Sequence, residues 1–346
     1  MSKILVIRLS AIGDVAMTIP VIYAAAKANP EDSFTVLTQT FLMPLFVNRP
    51  PNVHIMGVNT KNSEKSFLGF LRYVFMLRKC KFDKVLDLHC VIRSRITDIV
   101  FCLSGKPVFK VNKGRRERKF LTRRPPKAIC PLRPVIDRYA DVFRAAGFVF
   151  DETFVSLYDK NPADEKAIKM MAGDKREHWV GIAPFAGHKG KIYPPEKMEK
   201  VVKALSEQAD IKIFLFAGLN EEKFAIDRWK EKYKNTVSMA GRYLLDMELA
   251  LISRLDVLVS MDSANMHFAS LVGTKVISVW GATHPYAGFY GYHQREDLAV
   301  QVDLPCRPCS IYGNKPCYRN DWACMNEIRP EQIVEKVMNY LREAES

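Results

Sequence analysis

Short apolar runs alternate with longer stretches of helical periodicity along this chain. Runs at 3–8, 34–38 and 84–88 read as buried strands. Stretches 15–28, 67–79, 92–103 and 134–146 carry the spacing of amphipathic helices, with Pro20 expected to kink the first. The second half repeats the pattern. Strands are predicted at 179–183, 211–217, 257–260 and 276–280. Helices are predicted at 195–208, 221–233, 246–252 and 264–272, and a last one at 330–342. Such alternation predicts an α/β chain with parallel, doubly wound sheets. A length of 346 residues suits two domains, and Asp159-Lys160-Asn161-Pro162-Ala163-Asp164 is the best linker between them. Two such domains facing each other would enclose a cleft at the carboxyl ends of both sheets, where doubly wound folds bind ligands.

Three strand-to-helix turns carry the candidate chemistry. Asp262-Ser263-Ala264-Asn265-Met266-His267 follows one apolar run and opens a small-residue helix that ends at Gly273, with Thr283 beyond the next strand. Backbone N–H groups and the helix dipole at such a turn favour a phosphate, and Ser263 can either cap the helix or donate to an anion. Leu9-Ser10-Ala11-Ile12-Gly13-Asp14 follows the first strand. Gly13 allows a tight turn, and Asp14 is either a helix cap or a general base. The loop 183–194 holds Gly187, His188, Lys189, Gly190 and Lys191, a composition that suits either a diphosphate cradle or a surface loop.

Charge adds a direction to this picture. Residues 1–150 hold 26 Lys and Arg against 10 Asp and Glu, a net of +16, whereas residues 151–346 hold 26 against 28, a net of −2. The basic half is therefore expected to meet a polyanion: nucleic acid, anionic lipid or a phosphorylated glycolipid. The stretch 110–127 is densest, with Glu117 its one acid; a solvated loop is the plain alternative. No apolar run reaches the ~18 residues of a membrane-spanning helix, and Arg8 and Asp14 break up the start, so a strand rather than a secretory signal and a cytoplasmic location are expected. Cys80, Cys90, Cys102 and Cys130 are scattered. Cys306, Cys309, Cys317 and Cys324 cluster in sequence, which leaves a structural zinc site, a disulfide and reduced thiols all open.

The first-turn Leu9–Asp14 segment, Lys191-Ile192-Tyr193-Pro194, the 262–267 turn and Trp280-Gly281-Ala282-Thr283-His284-Pro285 together resemble the signature segments of glycosyltransferase family 9, the lipopolysaccharide heptosyltransferases. The segments 86–94 and 137–147 also resemble family patterns. The resemblance implies a GT-B fold: a Rossmann-like acceptor domain at 1–160, a Rossmann-like donor domain at 161–328, and a helix at 329–346 crossing back to the first domain. It implies inverting transfer from a nucleotide-activated heptose, ADP-heptose, to a phosphorylated Kdo-lipid A acceptor, with no cofactor or catalytic metal. By position, Asp14 is similar to the catalytic aspartate and Lys191 to the lysine that contacts donor phosphate. Gly13, His188, Lys189, Asp262, Ser263, Ala264, His267 and Thr283 are expected on the donor. Arg93, Arg95, Arg115, Arg116, Arg118 and Lys119 are expected on the acceptor. Ala264 and Gly187-His188 depart from the family pattern, which usually has Gly and hydroxyl residues there. Alternatives are a GT-B enzyme of another nucleotide sugar, such as an epimerase, or a non-catalytic binder of phosphoglycolipid or nucleic acid. Peripheral contact with the anionic inner face of the membrane is expected, and nucleic acid is not.

Overall fold

The computed structural model describes residues 1–59 and 66–345. The chain divides into two compact units: Met1–Lys113 with Arg133–Leu157, and Gly114–Leu132 with Tyr158–Ser346.

The first unit holds a parallel sheet. Its strands are β1 (Lys3–Ile7), β2 (Ser33–Gln39), β3 (Val53–Val58), β4 (Lys84–Asp87) and β5 (Val108–Lys110), in the order β3-β2-β1-β4-β5. Ile4, Leu5, Val6 and Ile7 are fully buried, as a strand covered on both faces requires. Its helices are α1 (Ile12–Ala16), α2 (Ile19–Ala28), α3 (Phe67–Lys79), α4 (Ile92–Leu103) and, after the excursion into the other unit, α6 (Val135–Ala145). That excursion carries α5 (Arg115–Leu121). The single kinked helix expected at 15–28 is instead two helices. Pro20 sits in the first turn of α2, where its missing N–H removes no helical bond.

The second unit holds β6 (His178–Ala183), β7 (Ile211–Leu215), β8 (Thr236–Ser238), β9 (Val257–Met261), β10 (Lys275–Val279) and β11 (Ala299–Val300), all parallel, in the order β11-β10-β9-β6-β7-β8. Its helices are α7 (Glu165–Ala172), α8 (Pro195–Ser206), α9 (Glu221–Lys232), α10 (Leu245–Ile252), α11 (Ala264–Val272), α12 (Ala323–Asn326) and α13 (Pro330–Glu345). In both sheets the strand order reverses beside the first strand, at β1/β4 and at β6/β9. Doubly wound folds open their ligand crevice at that switch point.

Two expectations need redrawing. The stretch 114–132 groups with the second unit and not with an N-terminal domain ending at 160. Lys127 Nζ donates to the carbonyls of Cys306, at 3.1 Å, and Pro308, and the Leu132 N–H donates to the Tyr286 carbonyl at 2.8 Å. Counted by unit, the net charge is +8 for the first and +6 for the second, so the basic character is not confined to one of them. The last helix also belongs to the second unit. Ile333, Val337 and Leu341 complete that core, and the helix packs on α8, β9 and β10, where a crossing back to the first unit was expected from the resemblance.

Candidate functional site

At the switch point of the first sheet, β1 runs into α1 and β4 ends at Asp87. Asp14 lies in the first turn of α1, and its carboxylate meets the Arg8 guanidinium at 2.7 Å. Arg8 is held from behind, because Nη1 also donates to the Leu88 carbonyl at 2.6 Å. Gly13 lies inside α1 rather than in a tight turn, and its φ is not positive. Beside them, the Leu9 N–H donates to His89 Nδ1 and Ser10 Oγ lies 3.4 Å from His89 Nε2. With Nδ1 accepting, the neutral imidazole carries its proton on Nε2, toward Ser10. Burial, then Arg8 and Lys113, push the His89 pKa down to about 3, so the ring is neutral at physiological pH. The Asp87 carboxylate accepts the N–H groups of His89, at 2.7 Å, and Cys90, at 2.9 Å. Arg8 and His89 were not singled out as site residues in the sequence. The signal lay in the register, which sets Ile7 opposite Asp87 and so brings both turns to one sheet edge.

Asp98 is a second buried carboxyl in this unit, and Lys110 Nζ lies 3.2 Å from it. Burial first and Asp87 second push its pKa up to about 7, with Lys110 opposing. The unfolded chain releases this proton near 3.8, whereas the folded chain keeps it. Stability from this group is therefore full below pH 4 and is lost as pH rises to about 7. Asp98→Asn should flatten the fall in melting temperature between acid and neutral pH. An unchanged pH profile would show that Asp98 titrates normally.

At the switch point of the second sheet, the loop after β6 meets the turn after β9. Lys191 Nζ lies 2.9 Å from Asp262 Oδ2, with the two side chains 17% and 5% exposed. Ser263 stands at the N-cap of α11 but makes no side-chain cap; its Oγ lies 3.2 Å from Ser260 Oγ. Ala264 opens α11, and His267 is buried within it. Thr283 is fully buried, and its Oγ1 has no hydrogen-bond partner among the described residues. His188 and Lys189 are exposed, and Lys189 lies over the Trp322 ring at 5.6 Å.

Two supports of this edge were not foreseen. Gly190 donates to the Gly313 carbonyl at 3.1 Å and accepts from the Ala282 N–H at 2.8 Å. A Cβ on Gly190 would stand 2.7 Å from that Gly313 oxygen and 2.9 Å from Ala282 Cβ. Gly190→Ala should therefore destabilise the second unit by about 1–3 kcal/mol and displace Lys191. Thermal melting checks it, and an unchanged transition would mean that the loops part freely. The other support is Arg307, 2% exposed, whose guanidinium donates to the carbonyls of Gly281, Trp280 and Thr283 at 2.6, 3.2 and 3.1 Å. It ties down the segment between β10 and Thr283.

The four clustered cysteines are free thiols. They line one small cavity with Trp322 and Asp321. Among the described residues no group of three or more His, Cys, Asp and Glu stands as a metal-ligand set. In the basic stretch, Arg118 donates to the Tyr312 hydroxyl at 2.8 Å and lies over the Phe289 ring at 4.8 Å, while Arg115, Arg116 and Lys119 are exposed. Arg93 and Arg95 lie on α4 of the first unit. The structure thus groups Lys191, Asp262, Ser263 and Thr283 in the second unit, and Asp14 with Arg8, Ser10 and His89 in the first.

The model of glycosyltransferase family 9 (heptosyltransferase) matches residues 71–316. The chain belongs to this family. It is 25% identical to lipopolysaccharide heptosyltransferase 3 of Escherichia coli K12, over 78% of this chain and 80% of that protein. It is 24% identical to the core heptosyltransferase OpsX of Haemophilus influenzae, over 95% and 94%. The fold is that of solved family 9 structures. A Veillonella parvula member has a TM-score of 0.76 at 17% identity, covering 99% of this chain and 98% of that one. The E. coli ADP-heptose heptosyltransferase II has 0.70 at 18%, covering 99% and 100%. The chain is a glycosyltransferase of the lipopolysaccharide heptosyltransferase family, with two Rossmann-like units of the GT-B kind.

Proposed function

We propose that this family 9 enzyme transfers a heptose, with inversion and without a catalytic metal, from ADP-heptose to a phosphorylated lipopolysaccharide inner-core acceptor of the Kdo-lipid A type, on the cytoplasmic side of the membrane. The observation that carries this reading is the Lys191–Asp262 pair beside Ser263 at the switch point of the second sheet. A cation, a hydroxyl and the uncapped first turn of α11 converge there, the set that stabilises a departing diphosphate.

Asp14 would take the proton of the attacking acceptor hydroxyl. His89 is a poorer choice, because burial and Arg8 disfavour the imidazolium it would become, and the ring is largely out of reach of solvent. Arg8 holds the Asp14 carboxylate in one orientation. The test is turnover with ADP-heptose against UDP- and GDP-sugars, with Kdo-lipid A as acceptor, reading released nucleoside diphosphate. Turnover confined to another nucleotide sugar would overturn the donor assignment.

Arg115, Arg116 and Lys119 remain proposed contacts for the acceptor phosphates. Their replacement by Gln should raise the acceptor KM, and the effect should shrink with salt, since exposed charges are screened over ~8 Å at physiological ionic strength. Arg118 is left out of that variant. Its partner Tyr312 adjoins Gly313, which braces Gly190, so Arg118→Gln would disturb the donor loop as well.

A further inference from the structure

Helix α4 turns an apolar stripe outward. Its buried positions are Ser94, Thr97, Asp98 and Phe101, with Ile96 and Val100 partly buried against the core beside them. Its opposite face carries Ile92, Ile99 and Leu103, which are 80%, 58% and 84% exposed and repeat at i, i+7 and i+11. A helix folded for water alone would have turned these residues inward, and burying Asp98 raises the energy of the observed arrangement further. The neighbouring α3 packs on α4 and buries Phe70, Val74 and Leu77, while Phe75 and Met76 stand about half exposed.

Among the described residues, the exposed charges on these two helices have one sign. Arg72, Arg78 and Lys79 on α3 and Arg95 on α4 are exposed. Asp98 is the only acid in either helix, and it faces inward. Asp83, just beyond α3, is engaged by Lys106 at 3.4 Å and by the Lys3 N–H at 2.9 Å. A second copy of this chain laid on the face would meet the same positive charge. An anionic lipid surface meets both needs, taking the isoleucine and leucine side chains among its acyl chains and the cations among its headgroups.

We infer that the α3–α4 face of the first unit docks on the anionic membrane leaflet, with Ile92, Ile99 and Leu103 inserted and Arg72, Arg78, Lys79 and Arg95 at the headgroups. The inference deepens the proposed function by naming how a lipid-borne acceptor is met, yet its test needs no turnover. Purified full-length protein is sedimented with vesicles of phosphatidylcholine alone, or with a quarter of the lipid replaced by phosphatidylglycerol. Binding should require the anionic lipid and weaken with salt. Ile92→Ser, Ile99→Ser and Leu103→Ser combined should lower the partition coefficient by about tenfold or more. Arg72→Gln, Arg78→Gln and Lys79→Gln combined should do the same and flatten the salt dependence.

The altered side chains are exposed, so circular dichroism and melting should match the parent. Both variants should keep parental turnover on a deacylated, water-soluble acceptor. Failure of that turnover in the parent would count against the proposed function and not against docking. Equal binding to neutral and anionic vesicles, or parental binding by the apolar triple variant, would overturn the inference. So would a concentration-dependent dimer that the triple variant abolishes, which would assign the face to a second copy.

Discussion

Asp14→Asn should lower kcat by about 10²–10⁴-fold while leaving nucleotide-sugar affinity nearly unchanged. The amide keeps the size of the carboxylate and can still accept from Arg8, but it cannot take a proton from the acceptor hydroxyl. Donor affinity should survive because Lys191, Asp262 and Ser263 all belong to the other unit. The nearby alternatives are weak. Burial makes the protonated form of His89 unfavourable, the ring is 7% exposed, and its Nδ1 already accepts the Leu9 N–H. Ser10 lies beside that same ring, its Oγ 3.4 Å from Nε2. Arg8→Gln should give a smaller loss, through a misplaced carboxylate, and Arg8→Lys should recover part of it. Single-turnover rates with saturating acceptor, set beside equilibrium donor binding, separate the two effects. Near-parental turnover by a folded Asp14→Asn protein would return Asp14 to the role of a helix-start carboxylate paired with Arg8.

Much of this arrangement was legible before any coordinates. The predicted helices at 67–79, 92–103 and 264–272 coincide with α3, α4 and α11, because each has a sharp boundary: a serine cap before α3, Gly273 after α11, and Gly105 closing the turn after α4. Short edge strands were not visible. Val108–Lys110, Thr236–Ser238 and Ala299–Val300 are two or three residues long, too short for any periodicity to register. The turns at Asp14, Lys191 and Asp262 were readable because glycines and polar residues interrupt apolar runs there. Their partners were not. Arg8 sits within an apolar run, Asp87 is far away in sequence, and Arg307 lies among cysteines that drew attention to themselves. Charge misled most. A division at residue 150 put all the excess in the first half, but residues 114–132 pack on the second unit and carry its whole surplus of +6. Contacts of Arg118 with Tyr312 and of Lys127 with the Cys306 carbonyl decide that placement, and both link residues about 180 or more positions apart.

Lys191 should prove to have two separable duties. In the free protein it neutralises Asp262, which is nearly buried; in the proposed complex its remaining N–H groups reach the donor diphosphate. Lys191→Met alone would leave a buried carboxylate unpaired. Loss of one partner from a fully buried pair costs roughly 3–5 kcal/mol. Here the loss should be smaller, up to about 3 kcal/mol, because the Lys191 side chain keeps some exposure and water can enter. A charged hydrogen bond to a phosphate contributes about 1.5–3 kcal/mol, so donor affinity should also fall by roughly 10- to 100-fold. Those two losses part company in the double variant. Lys191→Met with Asp262→Asn removes both charges and should recover most of the melting temperature. It should recover neither donor affinity nor kcat, since stabilisation of the departing diphosphate acts in the transition state as well as in binding. Melting curves and calorimetric titration with a nucleotide sugar, run on the parent, both single variants and the double, resolve the pair. A double variant that regains stability and also binds donor like the parent would place the Lys191 loop outside the donor site and leave the pair as a brace between two turns.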